Sequence, residues 1–380
     1  MTVVPVDVVV IGAGMVGAAC AYFCGAAGLS VTVVERGSVA AGTTGAGEGN
    51  VLLSDKEPGP ELELAMRSAV LWRELAAEHG DVFEYEAKGG VVVATDAELA
   101  ALQRFAERQR AVGVIAEPVA AHCLADYEPH LSPDLAGGVY YPQDVQVQPM
   151  LAAAHLLRLA TKRFGATVST GTDVVGVTGD RRVTGVRTSG GDVAAGAVVN
   201  AAGAWGGEMA ELAGVSVPIL PRRGFVLVTE SLPPVVRHKV YAAGYVADVA
   251  ADAGSLRTSA VVEGTRSGTV LIGASRERVG FDRTPSLPVL RSLAAGAIAL
   301  FPFLAGVTAL RAYCGFRPYC PDHLPVIGPD ARRPGLWHAC GHEGAGIGLA
   351  PGTGALIADM ITGTVPELDV APFRVDRFAG

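Results

Sequence analysis

Val8-Val9-Val10-Ile11 runs directly into Gly12-Ala13-Gly14-Met15-Val16-Gly17, and an apolar, small-residue stretch then leads to Val31-Thr32-Val33-Val34 and Glu35. No other part of the sequence restricts the fold as much. The first β-branched run predicts a buried parallel strand. The stretch from about Val16 to Ala27 predicts a helix that Gly28 stops. Val31 to Val34 reads as a second strand, which completes a βαβ unit. In such a unit Gly12 permits the tight turn, Gly14 lets the backbone approach a pyrophosphate, and Gly17 lets helix and strand pack closely. The helix N-terminus then faces the phosphates with free N–H groups and partial positive charge. Glu35 stands about 20 positions on, where a carboxylate can accept from ribose hydroxyls.

NAD and FAD both suit that cradle. Gly42-Thr43-Thr44-Gly45 and Gly47-Glu48-Gly49-Asn50 follow the second strand. They can line the pyrophosphate and ribityl chain of the longer cofactor, although glycine and hydroxyl clusters are also ordinary loops. Further along, helices are predicted over 61–78, 97–112 with Asp96 as N-cap, 150–164 closed by Gly165, 287–303 and 355–361. Strands are predicted over 89–95, 174–178, 183–188, 197–200 and 336–339. From Gly224 to Gly273 short β-rich runs alternate with turns, as in an antiparallel sheet. Gly341 to Gly354 reads as a glycine-rich turn. A chain of 380 residues favours two domains, and the β-rich part is inserted between pieces of the nucleotide-binding part.

The net charge is −8 with no long basic run, which argues against nucleic acid and anionic membrane surfaces. The apolar window from Val8 to Val34 is cut by glycines that the nucleotide unit explains, so no membrane span is expected. Cys20, Cys24, Cys123, Cys314, Cys320 and Cys340 show no metal-ligand spacing, and a reduced, cytoplasmic protein is expected.

Three segments together resemble the D-amino-acid-oxidase-like superfamily of FAD enzymes. They are the N-terminal βαβ unit, Val198-Val199-Asn200-Ala201-Ala202-Gly203-Ala204-Trp205, and Gly341-His342-Glu343-Gly344-Ala345-Gly346-Ile347-Gly348. Glu48-Gly49-Asn50, 54–60, Val262-Glu263-Gly264-Thr265-Arg266 and 317–322 are similar to the FAD subunits of hydrogen cyanide synthase, opine oxidases and D-hydroxyproline dehydrogenase. Glycine oxidase is a more distant resemblance. The likeness implies an α/β fold with a Rossmann-type FAD-binding domain (1–85, 145–222 and 309–380) and an antiparallel-sheet substrate domain (86–144 and 223–308).

The resemblance also implies residue roles. Gly12, Gly14, Gly17, Glu35 and Arg36 hold the ADP half. Thr43, Thr44, Gly47, Glu48, Gly49 and Asn50 follow the pyrophosphate and flavin. Val175 lies by the adenine, and Ala202, Gly203 and Trp205 flank the cofactor. Gly344, Ala345, Gly346 and Ile347 meet the flavin pyrimidine edge. Arg317 matches the arginine that grips a substrate carboxylate, a task suited to a planar guanidinium. Glycine oxidase carries a second arginine in its C-terminal turn, where this chain has His342-Glu343-Gly344-Ala345, which favours a larger, N-substituted or cyclic substrate.

Tyr241 and Tyr245 fall where related enzymes place pocket tyrosines, and they read equally well as β-sheet aromatics. His323 follows Asp322 near the expected flavin face and also suits a solvated turn. Cys314 lies roughly where sarcosine oxidase-type relatives attach flavin, but the local match is loose, so non-covalent FAD is expected. The implied reaction oxidises the C–N bond of a small amino acid or N-substituted amino acid. The implied setting is a catalytic subunit passing electrons to partner subunits in a hetero-oligomer. The alternatives are a stand-alone oxidase, monomeric or homo-oligomeric, that reduces O2 to H2O2, including N-carboxymethyl cleavage in biosynthesis, and a non-catalytic flavin-carrying scaffold.

Overall fold

The structure, a computed structural model, describes residues 5–245 and 256–378. The stretch 246–255, inside the expected antiparallel run, lies outside the described residues. Val6–Ile11 sits at the centre of a sheet ordered Val326–Pro329, Leu336–Cys340, Gly191–Asn200, Val6–Ile11, Val31–Val34, Thr167–Ser169. Its pairings are parallel except at the Val326–Pro329 edge. Val8, Val9 and Val10 are fully buried, which explains an unbroken apolar run instead of an alternating one. Val174–Thr178 and Gly185–Thr188 extend this sheet as an antiparallel flap on Gly191–Asn200. Residues of that flap, among them Val183 and Val186, cover one face.

Helices cover the other face. Helix α1 (Met15–Ala26) lies among α2 (Pro60–His79), α4 (Pro149–Phe164) and α6 (Gly346–Thr362), with α3 (Asp96–Arg110) further along the same core. α1 is lined with Ala18, Ala19 and Ala21, so its neighbours come close. A Cβ on Gly354 of α6 would lie 2.7 Å from the Ala19 carbonyl, and one on Gly25 would lie 2.8 Å from Phe164.

α6 replaces most of the glycine-rich turn expected between Gly341 and Gly354. Glycine and Pro351 disfavour helix locally, but packing against α1 and α2 outweighs propensity. Trp72 of α2 supplies part of the compensation. Pro351 has no N–H for the Ile347 carbonyl, and Trp72 Nε1 donates to the Ile347 and Gly348 carbonyls, each at 3.2 Å. The Gly352 N–H donates instead to Ser68 Oγ at 2.8 Å.

A second sheet runs Ala309–Tyr319, Leu220–Thr229, Val270–Arg276, Arg257–Gly264, Lys239–Ala242, Gly90–Ala94, Gly137–Tyr141, Glu117–Ala120. Only the Lys239–Ala242 and Gly90–Ala94 pair is parallel among these described strands. α5 (Leu287–Leu300) packs Val289, Leu293 and Ala297 on one face and stops before Phe303 at a short 3-10 segment, Pro302–Gly306. At the start of α3 the cap is Thr95, not Asp96. Thr95 is extended, and its N–H donates to the Glu98 carboxylate at 3.2 Å, the arrangement of a capping box. No helix among the described residues is long and apolar enough to cross a membrane.

Candidate active site

A cavity of about 680 Å³ opens outside the carboxyl ends of the parallel strands, where Ile11, Val34, Ala201 and Ala339 lie on its wall. That is where open α/β sheets bind ligands, and the volume suits a small-molecule or cofactor site. One end is built from the βαβ unit. Gly12 has φ +107°, and a Cβ there would lie 2.6 Å from the Ala201 carbonyl oxygen. Gly14 lines the cavity. Gly17 does not; a Cβ on it would lie 2.0 Å from the Gly12 carbonyl oxygen and push α1 off the turn.

The loop after Val31–Val34 is tied to α1, since the Met15 N–H donates to Thr44 Oγ1 at 2.9 Å. Glu35 is fixed at the cavity edge by the Ala13 and Gly37 N–H groups, each donating at 2.8 Å. Its carboxylate keeps lone pairs for further donors. The Arg36 guanidinium lies 4.0 Å from the Trp205 ring, and Trp205 stacks on Phe281 at 4.8 Å. Ala202, Gly203 and Thr43 complete this wall. Thr172, Asp173 and Val174 border it, whereas Val175 is exposed and does not.

The middle of the cavity meets Gly47, Glu48, Asn50, Gly344, Gly346 and Ile347, at the N-terminus of α6. Ala345 borders an adjoining hollow beside Asn50 and Tyr245. Gly49 stands behind, and a Cβ there would meet the Val147 carbonyl oxygen at 1.8 Å. Glu48 Oε2 accepts from Asn50 Nδ2 at 2.9 Å and from Lys239 Nζ at 3.1 Å. Lys239 donates also to Glu263 at 2.7 Å. Burial works against the Lys239 ammonium, but Glu263 and Glu48 outweigh it and hold its pKa up at about 12. This buried charge group pins the loop to the second sheet.

At the other end stands Arg317, recessed in the cavity on strand Ala309–Tyr319. Its Nη1 donates to the Ser275 carbonyl at 2.8 Å, and no carboxylate among the described residues pairs with it. Burial first, and then the nearby Arg276 charge, push its pKa down to about 10. Tyr245 also lines the cavity and lies 4.5 Å under the Arg276 guanidinium.

Tyr241 is fully buried off the cavity, and its hydroxyl donates to Ser54 Oγ at 2.6 Å. His323 also lies off the cavity wall. Its ring meets Glu343 at 2.9 Å, and Glu343 pairs with buried Arg222 at 3.4 Å. Cys314 is off the wall too, while Cys340 is on it with a thiol that burial pushes up to about 12, poorly suited to thiolate chemistry. Sequence reasoning missed Phe281, Glu208, Met209, Arg283 and the neighbour Arg276. Glu208 and Met209 sit on the short helix Gly206–Leu212, Arg276 ends strand Val270–Arg276, and Phe281 and Arg283 follow it, with no spacing that links the three places.

These residues fit a flavin dinucleotide. Two helix N-termini face the cavity, and side chains at Gly12 or Gly17 would collide with backbone oxygens beside the phosphate turn. A parallel-sheet nucleotide cradle that closes at its far end on a recessed arginine defines a dinucleotide-dependent oxidoreductase. The chain belongs to the DAO family, described as FAD dependent oxidoreductase, whose pattern matches residues 7–360. It is 32% identical over 338 residues to hydrogen cyanide synthase subunit HcnC of Pseudomonas aeruginosa, covering 84% of this chain and 75% of that one. It is 29% identical to glycine oxidase of Pseudomonas putida, covering 98% and 99%. The crystal structure of glycine oxidase from Geobacillus kaustophilus superposes with a TM-score of 0.89 at 28% identity, covering 99% and 100%. The protein is an amino acid or amine oxidoreductase that uses FAD.

Proposed function

We propose that the protein oxidises the C–N bond of a small amino acid or N-substituted amino acid. The observation that carries this reading is Arg317, a guanidinium without a carboxylate partner among the described residues, recessed at the end of a dinucleotide-sized cavity. A substrate carboxylate supplies the missing counter-charge and two acceptors for the planar fork. Held there, the substrate presents its Cα toward the stretch lined by Glu48, Asn50 and Gly344–Ile347. FAD, when bound, supplies the two-electron acceptor that takes the hydride from Cα of the neutral amine. Arg317 and Tyr245 orient the substrate, and the apolar walls limit water. The released imine takes up water and yields a carbonyl compound and a freed amine. No protein acid or base is needed when the amine arrives deprotonated.

By the same reading, FAD is held non-covalently by Glu35 and the α1 turn at one end and by the Gly344–Ile347 backbone at the other. The nucleotide part comprises 1–85, 145–222 and 309–380, and the substrate part 86–144 and 223–308. The protein acts in the cytoplasm as the catalytic subunit of a complex whose partners reoxidise the flavin. The resemblance to a hydrogen cyanide synthase subunit supports this. The second reading is a stand-alone oxidase that passes electrons to O2, supported by the full-length likeness to glycine oxidase. Anaerobic reduction of the purified holoenzyme by an amine panel, followed by air, tests both. Reduction with fast recovery and peroxide supports the oxidase. Reduction without recovery supports the subunit, and no reduction by any amine overturns amine oxidation.

A further inference from the structure

Two carboxylates, Glu48 and Glu343, share the inner part of the cavity wall with Arg317 among the described residues. They are held differently. Glu48 gives Oε2 to Lys239 and Asn50, and its Oε1 is buried away from the cavity. Glu343 stands in the turn that packs on Arg317, since a Cβ on the next residue, Gly344, would lie 3.5 Å from Arg317 Nε. Its Oε2 is 3.4 Å from Arg222 Nη1, and its Oε1 is 2.9 Å from His323 Nδ1. The His323 side chain is 25% exposed and lies off the cavity wall, so the pair leads from the cavity to another part of the surface. Both residues have positive φ, +45° at Glu343 and +62° at His323. That conformation is uncommon outside glycine, and strain of this kind clusters at functional sites.

An amino acid arrives near neutral pH as a zwitterion. Hydride can leave Cα only when the nitrogen has a free electron pair, so a proton must first leave the ammonium. Resting on the amine-oxidation reading above, we propose that Glu343 receives this proton and passes it to His323. The substrate carboxylate lies on Arg317 and the ammonium against Glu343. One N–H bond breaks, its electron pair stays on nitrogen, and an O–H bond forms on Glu343. The proton then moves to Nδ1 of His323, whose other proton is on Nε2. Hydride leaves Cα as described above, and the imidazolium gives its proton to water afterwards. Glu343 is a catalytic residue, and His323 acts through it.

The groups around the pair come from several elements. Arg222, Arg317 and Tyr319 face it from the second sheet. Glu61 faces it from α2; burial first, against the Lys56 charge, pushes that carboxyl up to about 7, with Asp55 and Glu343 adding to it. Asp55 and Lys56 are themselves paired at 2.6 Å. Asp322 is turned to Arg377, and His342 to Thr353.

The test uses the FAD-loaded full chain. Stopped-flow flavin reduction by the best amine of the panel is followed against pH. In wild type the second-order rate constant is expected to stay level over about two pH units below the amine's own pKa, because base and ammonium together hold the one productive proton. In Glu343→Gln, and in His323→Asn, which suits positive φ and does not titrate, only the neutral amine reacts. The constant then falls about tenfold per pH unit over that range. A second readout needs no turnover, because 2-aminoisobutyrate has no hydrogen on Cα and isobutyrate lacks the amine. By perturbation of the flavin spectrum, Glu343→Gln is expected to weaken 2-aminoisobutyrate roughly tenfold and isobutyrate by less than about twofold. His323→Asn leaves both within about twofold. Level profiles in both variants, or a wild-type profile that already falls tenfold per unit, overturn the relay. Equal weakening of the two ligands by Glu343→Gln overturns the Glu343 contact. If Glu343→Gln loses FAD, the His323→Asn profile decides. If no amine reduces the flavin, the earlier reading fails on its own, and the two ligands still test Glu343.

Discussion

Replacing Arg317 with methionine separates function from fold, because the two respond in opposite directions. The guanidinium makes one protein hydrogen bond, to the Ser275 carbonyl, and has no acidic partner among the described residues. Burial and the Arg276 charge depress its pKa from 12.5 to about 10. For a base lowered on folding, the protonated form costs stability at every pH below about 10, so the full cost is present at neutrality. At 1.36 kcal/mol per unit this is on the order of 3 kcal/mol, offset in part by about 1 kcal/mol from the lost hydrogen bond.

Methionine keeps most of the stem's volume and removes the charge, so Tm stays level or rises. Substrate binding loses two charge-assisted hydrogen bonds, about 1.5–3 kcal/mol each. That is a drop of roughly two to four orders of magnitude in kcat/KM. Stopped-flow flavin reduction across substrate concentration gives the rate, with FAD content and Tm measured on the same preparation. Wild-type kcat/KM in the variant refutes the role of Arg317. Joint loss of FAD, Tm and activity shows that the arginine is structural.

Gly17→Val places a side chain where a Cβ alone would sit 2.0 Å from the Gly12 carbonyl oxygen, so FAD is lost on gel filtration; retention of full FAD contradicts the packing argument. Trp72→Phe leaves the Ile347 and Gly348 carbonyls without the indole donor and costs about 1–3 kcal/mol, read by denaturant titration; an unchanged midpoint refutes the compensation for Pro351. Asp144 is buried, which raises its pKa from 3.8 to about 7 against the bonds from Ser54 and Leu53. A carboxyl raised on folding stabilises fully below about pH 4, and that stability is lost as pH rises through about 7. Asp144→Asn therefore flattens the dependence of Tm on pH between about 4 and 7, and an unchanged slope contradicts the shift.

The nucleotide half was the legible part of the sequence, because its constraints are local. The expected strand, helix and second strand fall on Val6–Ile11, Met15–Ala26 and Val31–Val34, since β-branched runs and glycine spacing act over a few residues. The start of α6 was not legible. Gly346, Gly348, Gly352 and Gly354 argue for a turn, and only distant partners, Trp72, Ser68 and Ala19, make helix the better choice. Strand Ala309–Tyr319, which carries Arg317, shows no clean alternation because its first residues are exposed and its last buried.

The far end of the site was legible only in pieces. Arg317 and Tyr245 reach the cavity, but Tyr241 turns to Ser54 and His323 to Glu343. Which way a strand residue faces depends on register, and one residue reverses it. The same rule separates exposed Val175 from its neighbour Val174 on the cavity wall.

The most direct test of amine oxidation by this protein is anaerobic titration of the FAD-loaded protein with glycine, sarcosine, D-amino acids, D-hydroxyproline, opines and N-carboxymethyl amines, reading the visible flavin absorbance. Carboxylate capture by Arg317 predicts bleaching by at least one carboxylate-bearing amine in wild type, and little or none by the same amine in Arg317→Met. A wild-type flavin that every one of these amines leaves oxidised contradicts it.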